Sequence, residues 1–223
     1  MRPAQKFLAE ALGTGLLLAI VVGSGIMAER LAGGHAAVAL LANALATGAG
    51  LFVLIMMFAP ISGAHFNPLV SISSWLDNAL SSRELFNHIA AQIMGAIAGV
   101  ALAHLMFELP FPLWSEKVRT GWGQWSAETT ASFGLILLLL RLQKQSQNQS
   151  NALIAGSVGL YITSAYWFTA STSFANPAVT LARSFSNTFA GIRPADIGFF
   201  VLAQCVGLAL ARATHKLLGK PQP

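Results

Sequence analysis

Apolar residues run along this chain in long blocks separated by short polar breaks. Six blocks, at about 5–28, 36–58, 84–107, 124–142, 151–170 and 195–218, approach the length of helix that crosses a bilayer. Two further segments, about 62–77 and 171–188, are too short to span and too apolar for ordinary loops. Each carries an Asn-Pro step, in ISGAHFNPLVS and in STSFANPAVTL. Proline suits the first turn of a helix, where its missing N–H costs nothing, and asparagine just before it is a good N-cap. The pattern therefore predicts two short helices starting at Asn67 and Asn176, both re-entrant. Non-helical backbone at membrane depth is tolerated where it lines a cavity or is buried in protein. Two half-helix N-termini meeting in mid-bilayer make a polar, electropositive point, which is the architecture of a pore or transporter. The connections 142–151 (LQKQSQNQSN) and 108–123 are expected as flexible surface loops.

Composition narrows the class. Apolar residues make up 55% of the 223 and charged residues only 9%, against roughly 25% in a soluble domain. A signal peptide at 7–28 is not supported, because no A-x-A-like site followed by a polar mature domain appears. The single Cys205 excludes a disulfide framework within one chain. The net charge of +5 is dispersed, without a basic block, so a nucleic-acid partner is not expected. Nor does the chain show a Ser/His/Asp, metal-ligand or phosphate-cradling constellation, so no enzyme, metal or cofactor is expected.

The two halves repeat. Ala9-Glu10 matches Ala127-Glu128, Asn67-Pro68-Leu69-Val70-Ser71 matches Asn176-Pro177-Ala178-Val179-Thr180, and Ala91-Gln92 matches Ala203-Gln204. Three spans plus a half-helix is an odd number of crossings, so the copies, about 5–107 and 124–218, are expected to be inverted within one domain covering 1–223. With the N-terminus inside, Arg2, Lys6, Arg83, Arg141, Lys144, Arg212, Lys216 and Lys220 face the cytoplasm, and Arg30, Lys117, Arg119, Arg183 and Arg193 face the other side. That bias favours both termini inside. Gly95 and Gly99, echoed by Gly207 and Ala211, have the spacing of close helix crossings.

Glu10 and Glu128 are rare carboxylates in apolar helices, and an intramembrane acid is a functional candidate by default. They read either as a proton-coupling pair of a secondary transporter or as acceptors for backbone N–H groups of the re-entrant loops. His65 is expected to hydrogen-bond its own loop. His35, His88, His104 and His215 lack ligand spacing and are expected at the interfaces. Arg183, seven residues after Asn176, reads as a helix-end or interface charge.

The combination S-G-A-H-F-N-P, a second N-P-A, and a Glu near the start of spans one and four resembles the aquaporin (major intrinsic protein) family over nearly the whole chain. The resemblance implies an all-α membrane fold of six transmembrane helices and two re-entrant half-helices, assembled as a homotetramer in the lipid bilayer with one pore per subunit. It favours the loop-holding role for Glu10 and Glu128. It gives Asn67 and Asn176, within Asn67-Pro68-Leu69 and Asn176-Pro177-Ala178, the role of donors at the central barrier. Backbone carbonyls of Gly63, Ala64 and His65, and of Thr172, Ser173 and Phe174, are expected to form an acceptor ladder. Leu17, Leu51, Leu135 and Leu160 correspond to an apolar wall.

The departures set the expected solute. Family water channels usually read N-P-A-R, and here Val179 stands at the Arg position. The other filter positions carry over to Thr47, Ser164 and Ser173. Four small uncharged residues predict a wider mouth without its fixed cation, suited to polyols, urea or neutral oxyacids, unless Tyr166, Trp167 or Phe168 refills it. The Val-for-Arg change also resembles the bacterial branch associated with arsenic resistance, which implies a passive channel for arsenite or methylated arsenicals in a bacterial inner membrane. A water-selective channel and a proton-coupled transporter are the alternatives.

Overall fold

The computed structural model describes residues 1–143 and 150–219. Lys144, Lys220 and most of the polar connection 142–151 lie outside the described residues. Eight α-helices follow in order: α1 (Pro3–Leu31), α2 (Ala36–Ser62), α3 (Pro68–Leu76), α4 (Ser82–Met106), α5 (Trp122–Gln143), α6 (Asn151–Phe168), α7 (Pro177–Arg183) and α8 (Ile197–Leu217). Six are long, and α3 and α7 are the two short ones the apolar pattern predicts. By length and composition α1, α2, α4 and the last helix with its leading 3₁₀ turn (Pro194–Leu217) are apolar enough to cross a membrane.

Local chemistry sets the boundaries. Asn67 and Asn176 cap α3 and α7, with Pro68 and Pro177 as the first helical residues. Ser81 and Glu84 form a capping box that starts α4, the Ser81 hydroxyl accepting from the Glu84 N–H and the Glu84 carboxylate accepting from the Ser81 N–H. Gly63 ends α2 at φ 91°, in the left-handed region that glycine enters freely.

Helix pairing repeats between the halves, with α1 packed on α4 and α5 on α8, while α2 lies between α1 and α6. Small residues permit these approaches. A Cβ on Gly95 would fall onto the Ala11 carbonyl oxygen, one on Gly99 onto that of Gly15, and one on Gly207 would come within 2.5 Å of that of Thr129. Large apolar side chains also point outward, among them Leu45 and Val53 on α2 and Leu202 on α8. Such an outer surface suits lipid rather than water.

Two expectations about the surface are corrected. The connection 108–123 is not a free loop. Leu113 N–H donates to the Phe185 carbonyl at 3.1 Å, Ser115 N–H to Ser184 at 2.9 Å, and Arg193 N–H to the Lys117 carbonyl at 2.8 Å. It forms a strap across the segment that follows α7. His88, His104 and His215 are buried rather than interfacial, whereas His35 is exposed at the start of α2. His104 donates from Nδ1 to the Pro110 carbonyl at 2.6 Å, leaving Nε2 to pair with the Ser186 hydroxyl at 2.8 Å. A buried imidazole is stable when both nitrogens are satisfied.

Candidate pore

The two Asn-Pro segments meet at the centre of the molecule. Asn67 Nδ2 donates to the Ala175 carbonyl at 2.8 Å, and Asn176 Nδ2 donates to the Phe66 carbonyl at 2.8 Å. Each asparagine thus grips the other loop. Their Oδ1 atoms cap their own helices, accepting from Leu69 N–H at 2.9 Å and from Ala178 N–H at 3.0 Å. An amide nitrogen has two N–H groups. With one committed across the interface, the other remains for a molecule in the adjoining cavity.

The approach loops are strained and held. Ala64 and Phe66 lie at φ 51° and 48°, and Thr172, Ser173 and Ala175 at 61°, 49° and 45°. Left-handed backbone is costly for residues other than glycine and persists only when the surroundings enforce it. Glu10 and Glu128 provide that enforcement. Glu10 accepts from His65 N–H at 3.0 Å and Phe66 N–H at 2.8 Å, and from Gln92 Nε2 at 2.8 Å. Glu128 accepts from Phe174 N–H and Ala175 N–H, both at 2.9 Å, and from Gln204 Nε2 at 2.6 Å. Gln92 continues to Ser71 Oγ and Gln204 to Thr180 Oγ1, so these bonds repeat in each half, and Glu10 accepts one more from the Ser62 hydroxyl at 2.6 Å. Both oxygens of each carboxylate are committed, which is the geometry of a brace and not of a mobile proton carrier.

A cavity of about 280 Å³ runs past this junction. Its wall contains Asn67, Asn176 and the loop residues Gly63, Ala64, His65, Ser173 and Phe174; Thr172 is not part of it. Leu17, Leu51 and Leu135 also line it, but Leu160 is 74% exposed on the outer face of α6. The filter set divides as well. Thr47, Ser173 and Val179 border the cavity, while the Ser164 side chain is exposed and donates to the Tyr161 carbonyl at 2.8 Å. Ser164 and Leu160 are carried off the cavity by the rotation of α6, which turns Val158, Ile162 and Tyr166 inward at a spacing of four. Of the three aromatic candidates, Tyr166 is buried in the wall, its hydroxyl 3.2 Å from Thr47 Oγ1. Trp167 and Phe168 are exposed. Leu69, where the family usually has Ala, fills a small apolar cluster with Ile136, Leu140 and Leu208 and leaves the Asn67 cap intact.

The largest correction concerns Arg183. It ends α7, as the helix-end reading expects, but it is no interface charge: it is 1% exposed and lies in the cavity wall. Its Nε donates to the Ala190 carbonyl, and its Cζ stands 3.4 Å from the centroid of the Phe174 ring. Spacing could have suggested this placement, since Arg183 lies four residues after Val179 and seven after Asn176, and both intervals return to the same helix face. Arg119, behind the cavity wall, sits on the Phe174 ring at 4.8 Å and donates to the Gly191 and Ser171 carbonyls, each at 2.8 Å. Burial lowers Arg119 to about 10. Lys117 is lowered to about 8 by burial and by the nearby Arg119 and Arg183 charges, with Glu29 opposing.

The family model for the major intrinsic protein family matches residues 1–132. The aquaglyceroporin AqpS of Rhizobium meliloti (strain 1021) is 53% identical over 220 residues, covering 97% of this chain and 91% of its own. The glycerol uptake facilitator protein-like 6 of Lactiplantibacillus plantarum is 26% identical, covering 96% of this chain and 98% of its own. The X-ray structure of the aquaglyceroporin from Plasmodium falciparum aligns with a TM-score of 0.79 over 98% of both chains at 20% identity, which is a likeness of fold. With Asn67 and Asn176 joined across a membrane-type helical bundle, these matches mean that the chain belongs to the major intrinsic protein family and has the aquaporin fold.

Proposed function

We propose that this protein is a passive channel for small uncharged solutes, with glycerol-like polyols, water and arsenite or methylated arsenicals as its permeants. The observation that carries this reading is the continuous cavity bordered by the Asn67–Asn176 junction. Half-helix N-termini and amide donors at one narrow point favour a hydroxyl or a water and oppose a cation or a proton chain. The loop carbonyls of the cavity wall offer acceptors, and Leu17, Leu51 and Leu135 offer no competing partner. The names of the aquaglyceroporin and glycerol-facilitator relatives agree with a polyol permeant. Val179 at the usual Arg position favours a solute larger than water at the mouth.

One observation favours the second reading, a water-selective channel. Tyr166 and Arg183 both stand in the wall near Val179, so that end is not lined by small residues alone. In either reading the channel is built from the inverted repeats 5–107 and 124–218, works as a homotetramer with one pore per subunit, and lies in the plasma membrane with both termini cytoplasmic. Osmotic swelling of proteoliposomes separates the readings. Entry of glycerol and arsenite together with water supports the first, and fast water flux without solute entry supports the second. Uphill solute movement along an imposed pH gradient would sink both in favour of a coupled transporter.

A further inference from the structure

Arg183 is a buried cation that makes no direct ion pair among the described residues. Among the described residues, none of the three ion pairs includes it, and its one hydrogen bond leaves through Nε to Ala190. The two Nη amino groups have no acceptor on the described protein. On the same wall, the buried Ser173 hydroxyl also has no partner among the described residues. Stranding a guanidinium inside a protein is strongly unfavourable unless something else solvates it. Here the solvating material is whatever fills the cavity. The ring of Phe174 and the Ala190 carbonyl fix the guanidinium plane, so the Nη groups present a rigid pair of donors rather than a mobile charge. Such a fork suits two oxygens of a single solute.

We propose that Arg183 is a specificity-determining residue of the pore, binding the hydroxyl oxygens of the passing solute and excluding cations from a position one helical turn beyond Val179. The proposal rests on the cavity being a solute path. The position left neutral by Val179 does not leave the mouth without a fixed charge. It moves that charge along α7 and backs it with Phe174 and Arg119. A role in packing alone would use only Nε and the stacked plane, and would put no demand on the solute.

The test compares reconstituted wild type with Arg183→Met and Arg183→Lys, reading water, glycerol and sodium fluxes in the same vesicles. Arg183→Met is expected to lower the glycerol-to-water flux ratio by about tenfold, the lower end for one charge-assisted hydrogen bond, and to admit sodium. Arg183→Lys should keep sodium out yet still lose most of the glycerol preference, because an ammonium lacks the planar fork. On the wild type alone, 2,3-butanedione, a small uncharged dicarbonyl that adds to guanidinium groups, should block glycerol flux, with glycerol protecting. Unchanged glycerol ratio and sodium exclusion in Arg183→Met would overturn the proposal, as would butanedione without effect on the wild type. Wild-type vesicles no more permeable to water or glycerol than empty ones would instead overturn the channel reading itself.

Discussion

Around α3 and around α7 the same restraints recur, yet the two half-helices end differently. In both, an asparagine caps the helix and reaches across to the other loop, a glutamate accepts two loop N–H groups, and a glutamine joins that glutamate to a hydroxyl one turn into the helix. At the far end of α3, Arg212 from α8 donates to the Ser73 carbonyl and pairs with Asp77 at 2.8 Å. At the far end of α7, Arg183 has no such carboxylate and turns into the cavity. The strap 108–123 also has its anchors on the α7 side, through Arg119 and the Leu113 to Ser115 bonds. The repeated parts hold the central junction. The unrepeated parts differ at the two ends: an ion pair beyond α3, and the strap with the cavity-facing Arg183 beyond α7.

The shared part of this comparison is broken most severely at the glutamates. Glu10→Ala and Glu128→Ala each strand two loop N–H groups and a glutamine amide, and Glu10→Ala the Ser62 hydroxyl as well, at about 1–3 kcal/mol per buried donor. Both variants are expected to lose the folded channel, seen as loss of a monodisperse detergent-solubilised species. If only one collapsed, the two braces would not be equivalent. The next effect is asymmetric. Arg119→Ala removes two charge-assisted bonds to carbonyls and the Phe174 contact, costing about 2–3 kcal/mol. Arg212→Ala removes a partly exposed pair worth about 1 kcal/mol or less, together with the bonds to the Ser73 carbonyl and hydroxyl, which water can replace at this half-exposed end. Thermal unfolding in detergent should therefore fall further for Arg119→Ala, and equal shifts would deny the strap its special role.

Smaller changes probe the mouth. Val179→Arg should reduce glycerol flux about tenfold, the result of roughly 1.4 kcal/mol added to its barrier, while water flux persists. Unchanged selectivity would place position 179 outside the constriction. Ser164→Leu should leave both fluxes intact, since that side chain faces away from the cavity. The smallest effect belongs to Lys117, which sits at about 8 in the fold against an ordinary 10.5. Between those values the unfolded chain holds a proton that the folded chain has released, so stability should rise as pH increases from about 8 toward 10.5. Lys117→Gln should flatten that rise in melting temperature.

The legible features were those encoded locally or by repetition. Asn67-Pro68 and Asn176-Pro177 announce helix starts wherever they occur, and the paired Glu10 and Glu128 showed that the two halves carry one design. Thr47, Ser173 and Val179 reached the cavity because their places follow from the distance to each asparagine. Ser164 and Leu160 did not, because the rotation of α6 about its axis is set by packing against α2, not by a motif. A uniformly apolar helix gives no polar stripe from which to read that rotation. Arg183 escaped for a related reason: a lone arginine at a helix end looks like a surface charge until the segment after it folds back.

The amino-acid sequence by itself determined the helices, the two interrupted segments, the repeat and the family, because hydropathy, proline geometry and capping act between near neighbours. Only the tertiary structure decided which side chains see the cavity. That choice depends on helix rotation and on the strap 108–123 closing over α7, through contacts between residues far apart in the chain. It set Tyr166 and Arg183 in one cavity wall with Val179, where the motif alone showed no cation.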